Sequence, residues 1–320
     1  MADNRKVIAL CSVGNLGKYL CDELLAGGLY DFVSKANKGV FFEQRNIDVR
    51  ASDYSVESVL DILNDTNASA LISFNNADGE TFVNVHCSLL EACRRSNNCK
   101  RFIPSEFAGN IDDYPLHPSY FTASRVPFRK ILERETDIEW TIFNNGWLME
   151  YFLTKDKSHM PAIPDEFPVD PNGWKACIRG SGDQEQSFTS ARDVAKALIM
   201  LLGAPEWERT IYITGQWSTF NKMVKFMEEF HGRPMTKTFR SEEDIYRDSM
   251  LPPTADNAET VYVASVEEMM ISGSGACPRE KTIRQRSKYF NNLQFTTLEE
   301  LLLNRDPQGP QTATRLCTLF

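Results

Sequence analysis

Histidine is scarce in this chain, which has four histidines and eight cysteines among 320 residues. The histidines (His86, His117, His159 and His231) are far apart, and no two cysteines form a Cys-x-x-Cys pair. Metal sites normally use closely spaced histidine and cysteine ligands. The sequence therefore predicts neither a zinc site nor another metal site. Cysteines without a paired pattern are typical of free thiols in a reducing compartment, and we expect a cytoplasmic protein.

Long apolar runs and positive charge are also lacking. No stretch approaches the roughly 18 apolar residues of a membrane span, and the polar start Met1–Lys6 is not typical of a signal peptide. The formal net charge is −9, whereas proteins that bind nucleic acids usually present a basic surface. We therefore expect neither membrane insertion nor nucleic-acid binding.

The first half of the chain alternates short apolar runs with segments of helical periodicity. Hydrophobic residues make up 42% of the chain, enough for a sizeable core. Strands and helices that alternate with short links predict an α/β fold with a doubly wound parallel sheet. The predicted strands are Val7–Leu10, Tyr30–Val33, Asn46–Val49, Ala70–Phe74, Arg101–Ile103 and Glu139–Phe143.

The pattern changes after residue 151. The segment Thr154–Lys175 is rich in proline and polar residues, which predicts a loop or lid. Further on, the patterns predict a helix capped by Ser190 or Asp193, a strand Thr210–Ile213, a helix capped by Ser218 or Thr219, and a last helix Leu298–Leu303 behind a capping box. We predict that residues 1–153, completed by about 187–215, form a nucleotide-binding domain. Residues 154–186 and 216–320 would form a smaller, irregular substrate-binding region, and the tail from Asp306 has no fold signature.

The stretch "VIALCSVGNLGKYLCDELL" (Val7–Leu25) predicts a buried strand, a tight turn and an amphipathic helix. Gly14 allows backbone N–H groups to approach a pyrophosphate, and Gly17 allows close packing of helix on strand. Cys11 stands where the first glycine of such a turn is usual, at the tight exit from the strand. We predict that the turn binds a dinucleotide; the alternative is a turn without a ligand. The predicted contacts are Cys11, Val13, Gly14, Asn15, Leu16 and Gly17.

The end of the second strand indicates which dinucleotide is bound. An NAD-binding protein usually has an acidic residue there for the ribose hydroxyls. This chain instead has Ser34, Lys35 and Lys38. Because cations suit a 2′-phosphate, NADP(H) is the predicted cofactor and Lys35 a predicted contact. Alternatively, the lysines are solvated surface charges.

Four segments resemble one protein family. "KRFIPSEFAGN" (100–110) resembles the K-R-F-x-P-S-E-F-G motif of isoflavone reductase-like and NmrA-like proteins, which are atypical short-chain dehydrogenases. "EWTIFNNGWLMEYF" is similar to the next strand of that family and its Asn/Gly turn. "SFTSARDVAKAL" and "PEWERTIYITG" are most similar to fungal members. The resemblance implies a Rossmann domain that binds NADPH, a small substrate domain, and a role in plant phenolic or fungal secondary metabolism.

Residues at the carboxyl ends of the later strands complete the predicted site, because ligands gather at that edge of an open α/β sheet. Phe74, Asn75 and Asn76 should face the ribose and pyrophosphate, and Ser105 and Glu106 should lie near the nicotinamide. Asn145, in the Asn/Gly turn, is a further predicted contact. Alternatively, Pro104 and Phe107, on either side of Ser105 and Glu106, are ordinary turn and packing residues.

The resemblance breaks at the catalytic position. Family reductases place a lysine in an F-x-x-x-K pattern, where it acts as acid/base group, but this chain has Phe121 followed by Arg125. A guanidinium does not exchange protons near neutral pH. Arg125 can still clamp a phosphate or stabilise an oxyanion, or it is only a surface helix residue. Tyr120 is a possible replacement donor, and Arg125, Tyr120 and Glu106 form the predicted catalytic set.

Three functions remain open at this point. The leading one is an NADP(H)-dependent oxidoreductase that reduces a C=C, C=N or C=O bond of a hydrophobic small molecule; an iminium substrate would need little protonation. Tyr120, Phe121, Trp147, Tyr151 and Trp174 are candidate pocket aromatics, or else core residues. The second is a cyclase or isomerase without redox turnover, and the third a nucleotide-sensing regulator with a protein partner. We expect a monomer or homodimer.

Overall fold

The structure is a computed structural model that describes residues 6–28, 30–35 and 40–303, with residues 30–35 described by their backbone only. Lys38 and the tail from Asp306 lie outside these residues. No helix in the described part of the chain is long and apolar enough to cross a membrane. The described cysteines are free thiols, including Cys93 and Cys99, whose sulfur atoms lie 3.6 Å apart.

A parallel sheet with the order β3-β2-β1-β4-β5-β6 forms the N-terminal half. This order reverses between β1 and β4, and such a switch point is where open α/β sheets bind ligands. The predicted doubly wound α/β fold is confirmed. The strands are β1 (Lys6–Cys11), β2 (Tyr30–Lys35), β3 (Asp48–Val49), β4 (Ala68–Ser73), β5 (Arg101–Ile103) and β6 (Glu139–Trp140).

Helices cover both faces of this sheet. Successive side chains of a strand point to opposite faces. Ile8 and Leu10 accordingly belong to one buried cluster, and Ala9 and Cys11 belong to another. The first cluster includes α1 and α6, and the second includes α3, α4 and α5. The helices are α1 (Asn15–Gly27), α2 (Val40–Gln44), α3 (Val56–Asp65), α4 (Gly79–Arg95), α5 (Arg125–Leu132) and α6 (Ala191–Gly203).

The predicted strand Glu139–Phe143 is two short strands in the structure. β6 ends at Trp140, and β7 (Ile142–Asn144) pairs in parallel with β12 (Thr210–Tyr212). β7 and β12 form a two-stranded sheet of their own, and α6 packs in the same buried cluster as β1. The interruption brings Asn144 and the turn behind it to the carboxyl edge.

The remaining chain is more regular than predicted. Its buried cluster is built from large apolar side chains such as Phe152, Phe167, Phe188, Phe220 and Met270. Two small sheets have the orders β14-β10-β9 and β13-β11-β8. Their strands are β8 (Trp147–Leu148), β9 (Val169–Asp170), β10 (Lys175–Arg179), β11 (Gln186–Thr189), β13 (Gln216–Ser218) and β14 (Thr236–Arg240).

Helices contribute further to this second part. They are α7 (Phe220–His231), α8 (Glu242–Ser249), α9 (Ala258–Ser272), α10 (Arg279–Tyr289) and α11 (Leu298–Leu302), and short 3-10 helices cover Ser119–Ala123, Met149–Phe152 and Lys155–Lys157. Thr219 caps α7, and Thr297 with Glu300 forms the predicted capping box of α11. The predicted loop Thr154–Lys175 contains β9 and one of the 3-10 helices, so it is not wholly irregular.

Candidate functional site

The turn after β1 carries its unusual backbone conformation at Ser12. Cys11 is the last residue of β1, whereas Ser12 has a φ of 56°. The prediction that Cys11 makes the tight exit from the strand is therefore wrong. An extended residue does not need the conformational freedom of glycine, so a cysteine is tolerated at this position.

The Cys11 side chain adjoins the turn, because its Sγ lies 3.8 Å from Ser12 Oγ. It is buried on the face covered by α3 and α4, in the cluster that includes Leu63 and Leu89. Together with Tyr54 it lines a small pocket that is partly open to solvent. A direct cofactor contact from the Cys11 side chain stays a prediction.

Within the described residues, no side chain caps the N-terminus of α1. Gly14 occupies the N-cap position without a side-chain hydrogen bond, and the first turn contains no acidic residue. The early N–H groups of a helix have no partner within the helix, and the helix dipole favours an anion near them. Asn15, Leu16 and Gly17 are the residues of this turn. Their backbone is therefore suited to a phosphate group.

The two glycines of the turn have different surroundings. A Cβ atom placed on Gly17 would lie 2.9 Å from Val13 Cγ1 and 3.2 Å from the Phe74 ring, so a side chain there would push α1 from the sheet. A Cβ atom on Gly14 would meet only Ser12 O at 4.0 Å. The space outside Gly14 is thus open. Gly17 serves packing and Gly14 leaves room for a ligand, which fits the roles predicted for a dinucleotide turn.

The residues after β4 adjoin the same turn. Phe74 N donates to Cys11 O at 2.8 Å, and the Phe74 ring stacks on Phe107 with centroids 5.2 Å apart. Asn75 Nδ2 donates to Ser12 Oγ at 3.2 Å, and the Tyr54 hydroxyl contacts the same oxygen. Two predicted contacts, Phe74 and Asn75, are therefore next to the predicted phosphate-binding turn. The side chain of Lys35 lies outside the described residues.

Ser105 is held by a residue that the sequence analysis did not single out. Its backbone N–H donates to Nε2 of His86 at 3.2 Å, and His86 Nδ1 lies 2.9 Å from Phe82 O. Nε2 must be unprotonated to accept, so Nδ1 carries the proton. Burial lowers the pKa of His86 to about 3, which keeps the ring neutral. His86 therefore holds the loop after β5 through a fixed tautomer.

Glu106 forms an ion pair with Arg129. The Arg129 guanidinium contacts Glu106 Oε1 and donates from Nε to Oε2 at 3.3 Å, and only 3% of the Glu106 side chain is exposed. Both carboxylate oxygens of Glu106 are engaged by Arg129, and the predicted catalytic role of Glu106 stays a prediction. Arg129 also donates to Pro115 O at 2.6 Å, which ties α5 to the preceding loop.

Arg125 is buried at the start of α5, so the alternative that it is a surface residue is wrong. Its Nη2 donates to Asn76 Oδ1 at 3.0 Å, and its Nη1 donates to Ala77 O at 3.2 Å. Its guanidinium carbon lies 4.1 Å from the centroid of the Phe82 ring. Asn76, a predicted cofactor contact, is thus engaged by Arg125, whose buried Nε has no hydrogen-bond partner among the described residues.

Tyr120 is next to Arg125, with the guanidinium carbon 5.9 Å from its ring centroid. Burial raises the pKa of Tyr120 well above that of a free phenol. A higher pKa makes the hydroxyl a weaker acid, so the structure lessens the case for Tyr120 as a replacement proton donor. The Tyr120 ring therefore offers an aromatic surface next to Arg125, and its hydroxyl is a weak acid.

Asn145 lies in the turn after β7. Its N–H donates to Ala108 O at 3.0 Å and its Nδ2 to Gly146 O at 2.9 Å. In the part of the chain that the structure describes, its buried Oδ1 has no hydrogen-bond partner. This turn faces the loop after β5, through Ala108. A contact between Asn145 and a cofactor stays a prediction.

Comparison with known proteins identifies the family. The chain is 31% identical over 301 residues to the oxidoreductase swnR of Arthroderma benhamiae, across 93% of this chain and 97% of the relative. The chain belongs to the family of this fungal oxidoreductase. No family model matches it.

Solved structures confirm the resemblance at the level of the fold. An isoflavone reductase superposes with a TM-score of 0.69 at 18% identity, covering 94% of this chain and 100% of that chain. AtPrR2, solved with NADP+ and (+)pinoresinol, gives a TM-score of 0.70 at 17% identity, covering 94% and 99%. This family member therefore has the isoflavone reductase fold predicted from its motifs.

Sequence reasoning missed three residues that shape this family member's site: Ser12, Tyr54 and His86. Ser12 lies in the turn after β1, but the sequence analysis assigned the unusual backbone conformation to Cys11, because a cysteine stood where glycine is usual. His86 does carry a signal, since it falls on the apolar face of α4 between Phe82 and Leu89. Tyr54 carries none, because its contact with Ser12 depends on how the strands are ordered.

Proposed function

We propose that this chain is an NADP(H)-dependent reductase that acts on a hydrophobic small molecule, in fungal secondary metabolism. The observation that carries the proposal is the uncapped N-terminus of α1, with open space outside Gly14, at the switch point between β1 and β4. Its fungal relative is named an oxidoreductase, and AtPrR2 has the same fold and was solved with NADP+ and (+)pinoresinol.

The residues proposed to hold the dinucleotide come from four adjacent segments. Val13 to Gly17 supply backbone N–H groups for the pyrophosphate. The other proposed contacts are Lys35 for a 2′-phosphate, Phe74, Asn75 and Asn76 after β4, and Ser105 and Asn145 on the nicotinamide side. Bound NADPH supplies a hydride.

The protein supplies no obvious proton donor at the position where family reductases have a lysine. Arg125 stays charged near neutral pH, and Tyr120 has a raised pKa. We propose that Arg125 acts electrostatically and positions the loop after β4. The relatives' names do not favour the cyclase or the regulator.

The organisation of the protein forms part of the proposal. Residues 1–153, completed by about 187–215, form the nucleotide-binding domain, and 154–186 with 216–320 form the substrate-binding region. We propose a cytoplasmic monomer or homodimer.

Calorimetric titration with NADPH, and separately with NADH, tests the cofactor assignment. We expect NADPH to bind at least about tenfold more tightly, since a 2′-phosphate near cations gains a charge-assisted hydrogen bond. Absence of binding by either dinucleotide would contradict the proposed function. A preference for NADH would contradict the role of Lys35 while leaving the turn intact.

A further inference from the structure

Two residues with left-handed backbones contact each other at the turn after β1. Ser12, in this turn, has a φ of 56°, and Tyr54, in the loop after β3, has a φ of 68°. Serine and tyrosine seldom adopt such a φ, because the Cβ atom crowds the backbone. The Tyr54 hydroxyl contacts Ser12 Oγ, so the side chains join the two strained positions. Backbone strain of this kind tends to be kept at functional sites.

The Ser12 hydroxyl is held from two neighbouring loops. Asn75 Nδ2, after β4, donates to Ser12 Oγ at 3.2 Å, and the Tyr54 hydroxyl contacts the same oxygen from the loop after β3. The Asn75 amide is oriented by its own loop, since its Oδ1 accepts from Ala77 N–H at 3.0 Å. A serine hydroxyl accepts up to two hydrogen bonds and donates one, so both contacts form at once. The conformation of Ser12 therefore depends on side chains outside its own turn.

The position of Tyr54 is determined by the start of α3. Tyr54 N–H donates to Ser52 Oγ at 3.0 Å, and Ser58 Oγ, in the first turn of α3, donates to the same oxygen at 3.0 Å. The next residue, Ser55, is the N-cap of α3. Burial raises the pKa of Tyr54, so its hydroxyl keeps its proton at neutral pH. The phenol therefore reaches Ser12 as a neutral hydrogen-bonding group from a fixed backbone.

The conformation of Ser12 matters because Val13 and Gly14 follow it directly. The peptide bond is rigid, so a change of φ at Ser12 re-orients the N–H groups that come after it, up to the start of α1. The affinity for a ligand falls in proportion to the fraction of molecules that have the binding conformation. Holding Ser12 at its positive φ before the ligand arrives therefore strengthens the binding of a pyrophosphate.

We propose that Tyr54 is a positioning residue of the dinucleotide site: its hydroxyl holds Ser12 in the left-handed conformation and so presents the backbone N–H groups at the start of α1 to the pyrophosphate. The assignment rests on the proposed reductase function, for which it names a further determinant of cofactor binding. In this role Tyr54 acts only through Ser12. Its effect should therefore disappear when position 12 needs no support, and glycine adopts a positive φ without the cost that serine has.

A double-mutant cycle in NADP+ affinity, measured by calorimetry, tests this dependence. Tyr54→Phe keeps the ring and removes only the hydroxyl. We expect it to weaken NADP+ binding about tenfold, which corresponds to about 1.4 kcal/mol and is comparable with the cost of a left-handed residue. In the Ser12→Gly background the same substitution should change the affinity by less than about twofold. An equal loss in both backgrounds, or no loss in either, would overturn the proposal.

Two substitutions of Ser12 separate support of the backbone from a direct contact with the cofactor. Both remove the hydroxyl, but only Ser12→Ala retains the cost of a positive φ. Ser12→Ala should bind NADP+ about tenfold more weakly than the native protein, and Ser12→Gly should stay within about threefold. Equal losses would mean that the hydroxyl itself binds the cofactor, which would overturn the proposal. Tyr289→Phe is the matched control, since it removes a hydroxyl that accepts from Glu208 N–H at 3.2 Å, and it should leave the affinity unchanged.

Urea denaturation without cofactor judges the contact separately. If the native protein binds no NADP+, the proposed function fails, and this measurement then decides whether Tyr54 holds Ser12. A loss of stability on Tyr54→Phe that shrinks by at least about half in the Ser12→Gly background would support the contact, and an equal loss in both backgrounds would overturn it. If the native protein binds NADP+ and Tyr54→Phe binds it equally well, the role of Tyr54 fails while the proposed function stands.

Discussion

The N-termini of α1 and α6 differ in how their backbone N–H groups are satisfied, although the two helices belong to the same buried cluster. At α6, side chains of the protein accept hydrogen bonds from the first N–H groups. Ser190 accepts from Arg192 N–H, and Glu150 accepts from Ala191 N–H at 2.8 Å. At α1 there is no side-chain cap and no acidic residue in the first turn. One terminus is completed by a carboxylate of the chain itself, and the other has room for an anion from outside.

The comparison separates structural and ligand-binding uses of the same feature. A capped terminus stabilises the fold at all times, whereas an uncapped terminus gains its partners only on binding. Gly14 is the residue that keeps α1 uncapped. Substitutions that add a cap to α1, or that remove the carboxylate at α6, therefore test whether the N-terminus of α1 binds a phosphate.

The largest effect is expected from Gly14→Asp. A carboxylate at the N-cap would accept from the first turn of α1 and repel phosphate, so NADP+ affinity should fall by at least about 1000-fold. The unfolding free energy should stay equal or rise by a few tenths of a kcal/mol, as usual for Gly to Asp at an N-cap. Calorimetry and urea denaturation measure the two quantities. Gly14→Ser, a neutral cap, is the control and should weaken binding less; undiminished binding by Gly14→Asp would contradict the account.

A side chain at Gly17 should affect folding as well as binding. The first carbon of Gly17→Val would lie 2.9 Å from Val13 Cγ1. We expect the unfolding free energy to fall by about 2 kcal/mol, because an overpacked interface has to shift. NADP+ affinity should fall with it, since α1 moves. Urea denaturation of this variant beside Gly14→Asp is the measurement, and a Gly17→Val protein as stable as the native one would show that α1 does not pack as described.

The completed terminus of α6 should make stability depend on pH. Burial raises the pKa of Glu150 to about 7. Between its ordinary pKa and pH 7 the folded protein keeps a proton that the unfolded chain has lost, so the unfolding free energy declines as the pH rises through this interval. Glu150→Gln has no such proton. We expect it to gain about 2 kcal/mol relative to the native protein between pH 5 and pH 8.

Urea denaturation at the two pH values measures this difference, because most other titrating groups contribute equally to both proteins. Asp193, whose charge contributes to the raised pKa of Glu150, is kept in both. A constant difference between native and Glu150→Gln across the interval would show that Glu150 is already ionised at the α6 terminus.

The smallest effect is expected at Cys11. Because Cys11 is extended and its side chain packs beneath α3 and α4, Cys11→Gly restores the usual glycine without improving the turn. NADP+ affinity should stay within about twofold, and stability should fall by about 1 kcal/mol from lost packing and added backbone freedom. Calorimetry decides: a tenfold gain in affinity would mean that the cysteine does restrict the phosphate site.

Local patterns were enough to predict the sheet and the turn. The apolar runs of β1, β4 and β5 predicted buried strands, and their alternation with amphipathic helices predicted parallel pairing. Of the helices in the second part, α7 and α11 were predicted, whereas α9 and α10 were missed for physical reasons. Buried residues run without a gap from Ala264 to Ile271 in α9, so it shows no apolar stripe, and α10 buries polar Thr282 and Gln285. Hydrophobic periodicity detects neither kind of helix.

The site was predictable only where the backbone determines it. The spacing of Gly14 and Gly17 implied an open terminus and a packed helix, and the surroundings of the two glycines agree. Contacts between side chains were not predictable in this way. Glu106 and Arg129 are 23 residues apart, and nothing in either segment shows that they pair. Arg125 was correctly noted as a departure, but its burial against Phe82 depends on how α4 and α5 pack.

A crystal structure grown at saturating NADP+ shows whether the N-terminus of α1 holds the dinucleotide. We expect the diphosphate of the cofactor to lie against the backbone N–H groups at the start of α1, next to Gly14, with the Cys11 side chain still buried. A diphosphate bound elsewhere, or a turn that contains only solvent under those conditions, would contradict it.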